Sequence, residues 1–182
     1  KSLKEFLLSS VPQPWFSAVY PVVSMHWEGK VYDRFEACTD LLPELIDFLV
    51  KCIKASDGNV VTATNMINSK FAMSNDFPIF MSVIDISWFD PETIKPDTPV
   101  PSGIGAIPYL DRLQDHLGLE DHHATALKMV ELQAQYWPNS PRKFTPVDIE
   151  YLSCECRKYF SYVNGTKKFE GKNVFTPKGN LI

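Results

Sequence analysis

Long apolar runs are missing from this 182-residue chain. No stretch approaches the ~18 uninterrupted apolar residues of a membrane span, and the opening KSLKEFLLSS holds too short an apolar run for a secretory signal. A soluble, intracellular protein, cytoplasmic or nuclear and without a membrane partner, is the expectation. Cysteine is scarce and wrongly spaced for metal or redox work. Cys38, Cys52, Cys154 and Cys156 form neither a zinc-ligand spacing nor a C-x-x-C pair, so they read as reduced thiols packed on helices. No motif implies a redox cofactor or a metal. Internal repeats and low-complexity stretches are absent as well. So is an overall excess of positive charge: the formal net charge is −4, which gives no support for a non-specific nucleic-acid binder.

What is present is a globular composition. Apolar residues make up 45% of the chain and charged residues 22%, with twelve Phe, seven Tyr and four Trp, enough for one domain over 1–182 to bury a continuous core. The charge is uneven. Positions 1–141 carry ten Lys/Arg against eighteen Asp/Glu, whereas 142–182 carry eight against four, so a basic C-terminal tail over 164–182 can hold a phosphate backbone locally.

Helical periodicity dominates the pattern. An aromatic, proline-rich opening segment over 11–32 reads as extended, because three prolines in VPQPWFSAVYPVV preclude a regular helix. One helix is expected to start near Thr39 and run to Ala55, with Leu41, Leu45, Phe48, Leu49, Cys52 and Ile53 as its core stripe. VTATNMINSKFAM reads as a second helix capped by Thr62 or Thr64. FPIFMSVIDISWF is apolar on almost every side; its thirteen residues and Pro78 favour a central helix over a buried strand. Within it Asp85 is either capping or salt-bridged in a core, or lines a pocket. The segments AIPYLDRLQDHLG, HHATALKMVELQAQYW and TPVDIEYLSCECRKYFSYVNG each show the 3.6 period, the last with Thr145 as cap, Pro146 in the first turn, Asp148 near the N-terminus and Gly165 as stop. The fold class that follows is mainly α.

One long loop interrupts the helices, with prolines at 91, 96, 99 and 101 before Gly103-Ile104-Gly105-Ala106 and Pro108 after it. A turn of this type at 102–106, between two helical segments, suits a hairpin joining helices. Its two glycines either let the backbone approach a phosphate, with the N–H groups of the next helix start as donors, or merely permit tight packing.

The run PIFMSVIDISWF, the proline-rich loop, GIGAIPYLDRL and FTPVDIEYLSCECRKYFSYVNGTKKF together cover about half of the chain. In order and character this half resembles the α-glutamyl/putrescinyl thymine pyrophosphorylase family of phage-type thymine hypermodification systems. That family's late helix carries a Glu-His-x-x-Cys-Glu-x-x-Lys-Tyr-like motif, and here the corresponding residues read Glu150-Tyr151-Leu152-Ser153-Cys154-Glu155-Cys156-Arg157-Lys158-Tyr159. Tyr151 stands where the histidine would be, and Ile104 replaces the proline of the family's turn.

The resemblance implies a helical DNA-glycosylase-like domain with a helix-hairpin-helix-like turn at 102–106. It implies group transfer on a modified thymine in DNA, 5-hydroxymethyluracil or its activated ester, with the base extruded into a pocket. On this reading Gly103, Gly105, Ala106 and Arg157 hold a DNA phosphate, and Asp85, Glu150, Glu155, Lys158 and Tyr159 are catalytic. A carboxylate takes a proton from the incoming nucleophile, and Lys158 or Arg157 stabilises a departing phosphate. Helical spacing supports part of this independently. Glu150, Cys154, Arg157 and Lys158 fall at i, i+4, i+7 and i+8, although Glu150, Glu155, Arg157 and Lys158 also suit an ordinary solvated face opposite a core of Ile149, Leu152, Cys156, Tyr159 and Phe160.

Two further readings stand beside it. Asp121-His122-His123 follows the turn as an aspartate follows the hairpin in helix-hairpin-helix DNA glycosylases, but sixteen residues from Gly105 is short for that role and Asp121 more simply caps a helix. The other is a non-catalytic nucleic-acid- or protein-binding module, with Trp15, Phe16, Trp27, Trp88 and Trp137 as candidates for a partner surface.

Overall fold

The computed structural model describes residues 2–11, 24–71 and 76–166. Most of the proline-rich opening segment, with Trp15 and Phe16, and the basic tail from residue 167 lie outside the described residues. The chain is mainly α-helical, and its strands among the described residues form one two-stranded sheet. Where the sequence suggests one domain, the backbone divides into two compact units, Lys1–Pro101 and Ser102–Ile182, and the boundary falls inside the proline-rich loop.

The first unit opens with helix α1 (Leu3–Ser10), capped by Ser2 and Glu5, and a hairpin of β1 (Met25–Trp27) and β2 (Lys30–Tyr32). Met25 pairs with Tyr32 and Trp27 with Lys30, so only Glu28 and Gly29 make the turn. Both have positive φ, the geometry whose twist matches that of the flanking strands. Trp27 packs its ring on Phe48 and Phe71, at 5.7 and 5.3 Å between centroids.

The helical stretch after the hairpin starts earlier than the expected Thr39. Asp33 caps α2 (Arg34–Glu36) by accepting from the N–H groups of Phe35 and Glu36, and Glu36 reaches back to the Asp33 N–H. Nor is it one continuous helix. Pro43 has no N–H to donate and crowds the carbonyl four residues back. The ladder widens to π-helical over Ala37–Leu41, continues as α3 (Leu42–Glu44), and breaks at Leu45 before α4 (Ile46–Ala55).

Helix α5 (Val60–Phe71) is capped by Asn59, whose Oδ1 accepts the Thr62 N–H at 2.9 Å, rather than by Thr62 or Thr64; Thr64 is buried inside the helix. FPIFMSVIDISWF is the helix α6 (Phe77–Phe89), with Pro78 in its first turn. It buries one face, Ile79, Phe80, Val83, Ile84 and Ser87, and exposes Ser82, Asp85, Trp88 and Phe89. The loop that follows is tied to the start of α5: Lys95 N–H donates to the Gly58 carbonyl at 2.9 Å, Val60 N–H donates to Thr98 Oγ1 at 3.2 Å, and Ile94 is fully buried.

The second unit holds α7 (Ile107–Leu117), α8 (His122–Tyr136) and α9 (Pro146–Val163). Each boundary has a chemical cause. Gly118 ends α7 in the left-handed conformation that glycine adopts without penalty. Asp121 caps α8 by accepting the Ala124 N–H at 2.7 Å. Asp148 fastens the start of α9 by accepting the N–H and hydroxyl of Thr145 and both arms of the Arg142 guanidinium. Burial alone would raise the Asp148 carboxyl, but Arg142 and Thr145 outweigh it and hold the group below the usual carboxylate range. Ala106, Leu110, Ala126 and Ile149 form the buried centre of this unit, with Met129, Val130, Phe144 and Cys154 packed around it.

Candidate functional site

Helix α9 turns an unexpected face inward. Hydrophobicity ranks Leu152, Cys156, Tyr159 and Phe160 with Ile149 as its core side. The buried residues are instead Pro146, Val147, Ile149, Glu150 and Ser153, while Leu152, Tyr159 and Phe160 are exposed. A solvated face is therefore the wrong description of Glu150, which is 5% exposed. It is the right one for Glu155 and Lys158, which are exposed and paired with each other through Lys158 Nζ and Glu155 Oε1.

The reason lies in what covers α9. The 102–106 turn sits on the stripe Glu150, Cys154 and Arg157. Gly103 N–H donates to Glu150 Oε1 at 3.1 Å, and a side chain at Gly103 would bring its Cβ to 3.1 Å from the same oxygen. At Gly105 an added Cβ would stand 2.6 Å from Cys154 Sγ and 4.0 Å from Arg157 Nη2. At Gly105 a side chain would force the thiol or the turn to move, and at Gly103 it would press on the carboxylate, so both glycines serve packing whatever else the turn does.

Within the turn, the Gly103 carbonyl accepts the N–H groups of Ala106 at 2.8 Å and Ile107 at 3.1 Å. The Ala106 N–H is thereby committed, and its side chain is buried. Among the described residues the N–H groups of Ile104 and Gly105 make no hydrogen bond, and the Ile104 side chain, 92% exposed, forms the tip. No helix leads into this turn: α6 ends at Phe89, and irregular chain fills the interval.

The electrostatics follow from burial. Desolvation pushes the Glu150 carboxyl above its ordinary value, against a weaker downward pull from the Gly103 N–H. Arg157 is half-buried, and its Nε is enclosed without a hydrogen-bond partner, which leaves the guanidinium a donor to spare. The Glu155 hydrogen bond holds the exposed Lys158 ammonium above its ordinary value.

Of the residues singled out from sequence, the structure brings together Gly103, Gly105, Ala106, Glu150 and Arg157. Glu155, Lys158 and Tyr159 lie on the exposed part of the same helix, Tyr159 edge-on to Phe160. Asp85 belongs to the first unit. There it is exposed rather than capping a helix or ion-paired in a core, and it lines an apolar cavity of about 690 Å³ together with Met25, Cys38, Phe71 and Ile86. Trp88 and Trp137 are about half exposed, and Trp27 is packed.

Ser102 and Asp111 carry no motif, and His122 stands out in the sequence only beside Asp121 and His123 after the turn. Among the described residues no group of three His, Cys, Asp or Glu side chains is placed to hold a metal ion. Instead His122, the first residue of α8, lies 2.8 Å by Nδ1 from Ser102 Oγ and 2.8 Å by Nε2 from Asp111 Oδ1 on α7. Among the described residues no helix is long and apolar enough to cross a membrane. The chain matches no family model, no curated protein and no solved structure.

Proposed function

We propose that this protein acts on DNA as a base-modification protein, transferring a group at a modified thymine such as 5-hydroxymethyluracil or its activated ester. The observation that carries this reading is the turn. Two backbone N–H groups, of Ile104 and Gly105, make no hydrogen bond in a turn seated closely on α9, beside the guanidinium of Arg157. Converging backbone and guanidinium donors suit a phosphate oxygen. Ile104 at the tip supplies an apolar side chain of the kind that wedges against an unstacked base step. The phosphate site is then Gly103–Gly105 with Arg157, the Ala106 N–H being used within the turn. Glu150, whose raised pKa brings it nearer neutrality, suits a proton acceptor for the incoming nucleophile, with Lys158 and Tyr159 reaching the substrate from the exposed side of the helix.

Fluorescent duplexes containing thymine or 5-hydroxymethyluracil, titrated at two salt concentrations, test this. The expected result is salt-sensitive binding that favours the modified base. Arg157→Ala should weaken it on both duplexes and lower the salt slope by about one, as loss of one phosphate contact does. Absence of binding at low salt would remove the DNA reading altogether. A non-catalytic binding module is the second reading, favoured by the exposure of Glu155, Lys158 and Tyr159 at a distance along α9 from the enclosed Glu150. Binding without any turnover of the modified base would select it.

A further inference from the structure

Ser102, His122 and Asp111 come from three different places, the head of the turn, the start of α8 and the second turn of α7, yet their polar atoms are joined through the His122 ring. We propose that they constitute a serine-nucleophile relay that hydrolyses short acyl esters, an activity distinct from the DNA reading that rests on different side chains and shares with it only the Ile104 and Gly105 N–H groups.

The chemistry follows from the donor and acceptor inventory. The Asp111 carboxylate only accepts, so the 2.8 Å contact fixes a proton on His122 Nε2. The neutral ring then presents the Nδ1 lone pair to the Ser102 hydroxyl, also at 2.8 Å. That is a nucleophile touching a base whose far side is oriented by a carboxylate, the arrangement that activates serine; which ring nitrogen faces the serine is immaterial, because roles and geometry define it. Ser102 is half-buried, and the His122 and Asp111 side chains are 25% and 58% exposed. The three side chains thus lie in the partly exposed part of the unit. Gly103 N–H is taken by Glu150, but those of Ile104 and Gly105, in the residues following the nucleophile, remain as donors for an oxyanion.

In the first step Ser102 Oγ bonds to the ester carbonyl carbon as its proton passes to His122 Nδ1, and the carbonyl oxygen becomes the oxyanion. The bond to the leaving alcohol then breaks, with the proton on Nδ1 going to the departing oxygen. Water attacks the acyl-serine, gives a proton to Nδ1, and releases the carboxylic acid as the proton returns to Ser102 Oγ. No oxidant, reductant or metal enters the balance.

A fluorophosphonate probe, read by intact mass and peptide mapping, together with turnover of p-nitrophenyl acetate, tests the relay on the full chain. One adduct is expected, on Ser102, and none on Ser102→Ala. His122→Gln should slow labelling roughly 10²–10⁴-fold, as loss of a general base does. Asp111→Asn, at an exposed position, should also slow it. An unlabelled wild-type chain, labelling elsewhere than Ser102, or labelling at an unchanged rate in folded Asp111→Asn and His122→Gln would each overturn the proposal. None of these outcomes depends on DNA binding.

Discussion

Gly105→Ala is expected to destabilise the Ser102–Ile182 unit by about 1–3 kcal/mol, the usual cost of forcing an extra carbon into a packed site. The new Cβ would lie 2.6 Å from Cys154 Sγ, closer than real Cβ atoms come to any neighbour. Either the thiol leaves its rotamer or the turn lifts from α9. The cost is specific to that sulfur, since Cys154 Cβ stands at 3.7 Å, an ordinary contact. Cys154→Ala in the same chain should therefore recover much of the loss. A double-mutant cycle by thermal or denaturant unfolding should give a favourable interaction energy for the pair, as coupling between touching residues does. Strict additivity would mean that the turn does not sit where Gly105 meets Cys154. Because the Ile104 and Gly105 N–H groups are displayed by this seating, Gly105→Ala should also weaken DNA binding in proportion to how far the turn lifts.

Glu150 should show the other large effect, and its direction depends on the replacement. Glu150→Ala leaves the Gly103 N–H without its acceptor in a partly buried place, at a cost of about 1 kcal/mol or somewhat more. Glu150→Gln keeps an acceptor of the same shape and removes the charge. Burial holds the wild-type carboxyl above its ordinary value of 4.5. Its contribution to stability is therefore fully present below the unfolded-state pKa and lost as pH rises through the raised folded-state one. The glutamine cannot ionise. Denaturant midpoints compared over roughly pH 4–7 should show the wild type losing ground to Glu150→Gln as pH rises. A constant offset between the two would mean that Glu150 does not titrate in an enclosed site. Taken together, the three residues at 150 separate the hydrogen bond from the charge.

How far the sequence discloses this arrangement varies with the kind of signal. Helices α7, α8 and α9 are legible because their ends carry short-range chemistry: Gly118, Asp121, and Thr145-Pro146 with Asp148. The helical nature of α6 is legible from Pro78 and its length, despite the β-branched residues in its middle. The early helix is misjudged at its start, since the Asp33–Glu36 capping box outranks the apolar stripe that suggests Thr39, and in its continuity, since the ladder is irregular around Pro43. The cap of α5 falls on Asn59 for the same local reason.

The candidate site is legible only in part. The stripe Glu150, Cys154 and Arg157 follows from helical spacing. That it faces inward does not, because hydrophobicity favours Leu152 and Tyr159, and only the glycines at 103 and 105 reveal that backbone covers the carboxylate. Asp85 sits in an apolar run, yet it faces out because α6 buries a single stripe. The Ser102–His122–Asp111 contacts join residues twenty and eleven positions apart on separate elements. No short spacing encodes them, and they exist only once α7 and α8 have packed.

Amide chemical shifts of the ¹⁵N-labelled protein, followed as a short 5-hydroxymethyluracil duplex is titrated in, test the central claim most directly: that the open turn on α9 is where DNA is gripped. The account predicts that the Ile104 and Gly105 amides and the Arg157 Nε–H move first and furthest, and that these shifts collapse at high salt. Shifts centred elsewhere in the chain, with the 102–106 turn unmoved at saturation, would contradict it.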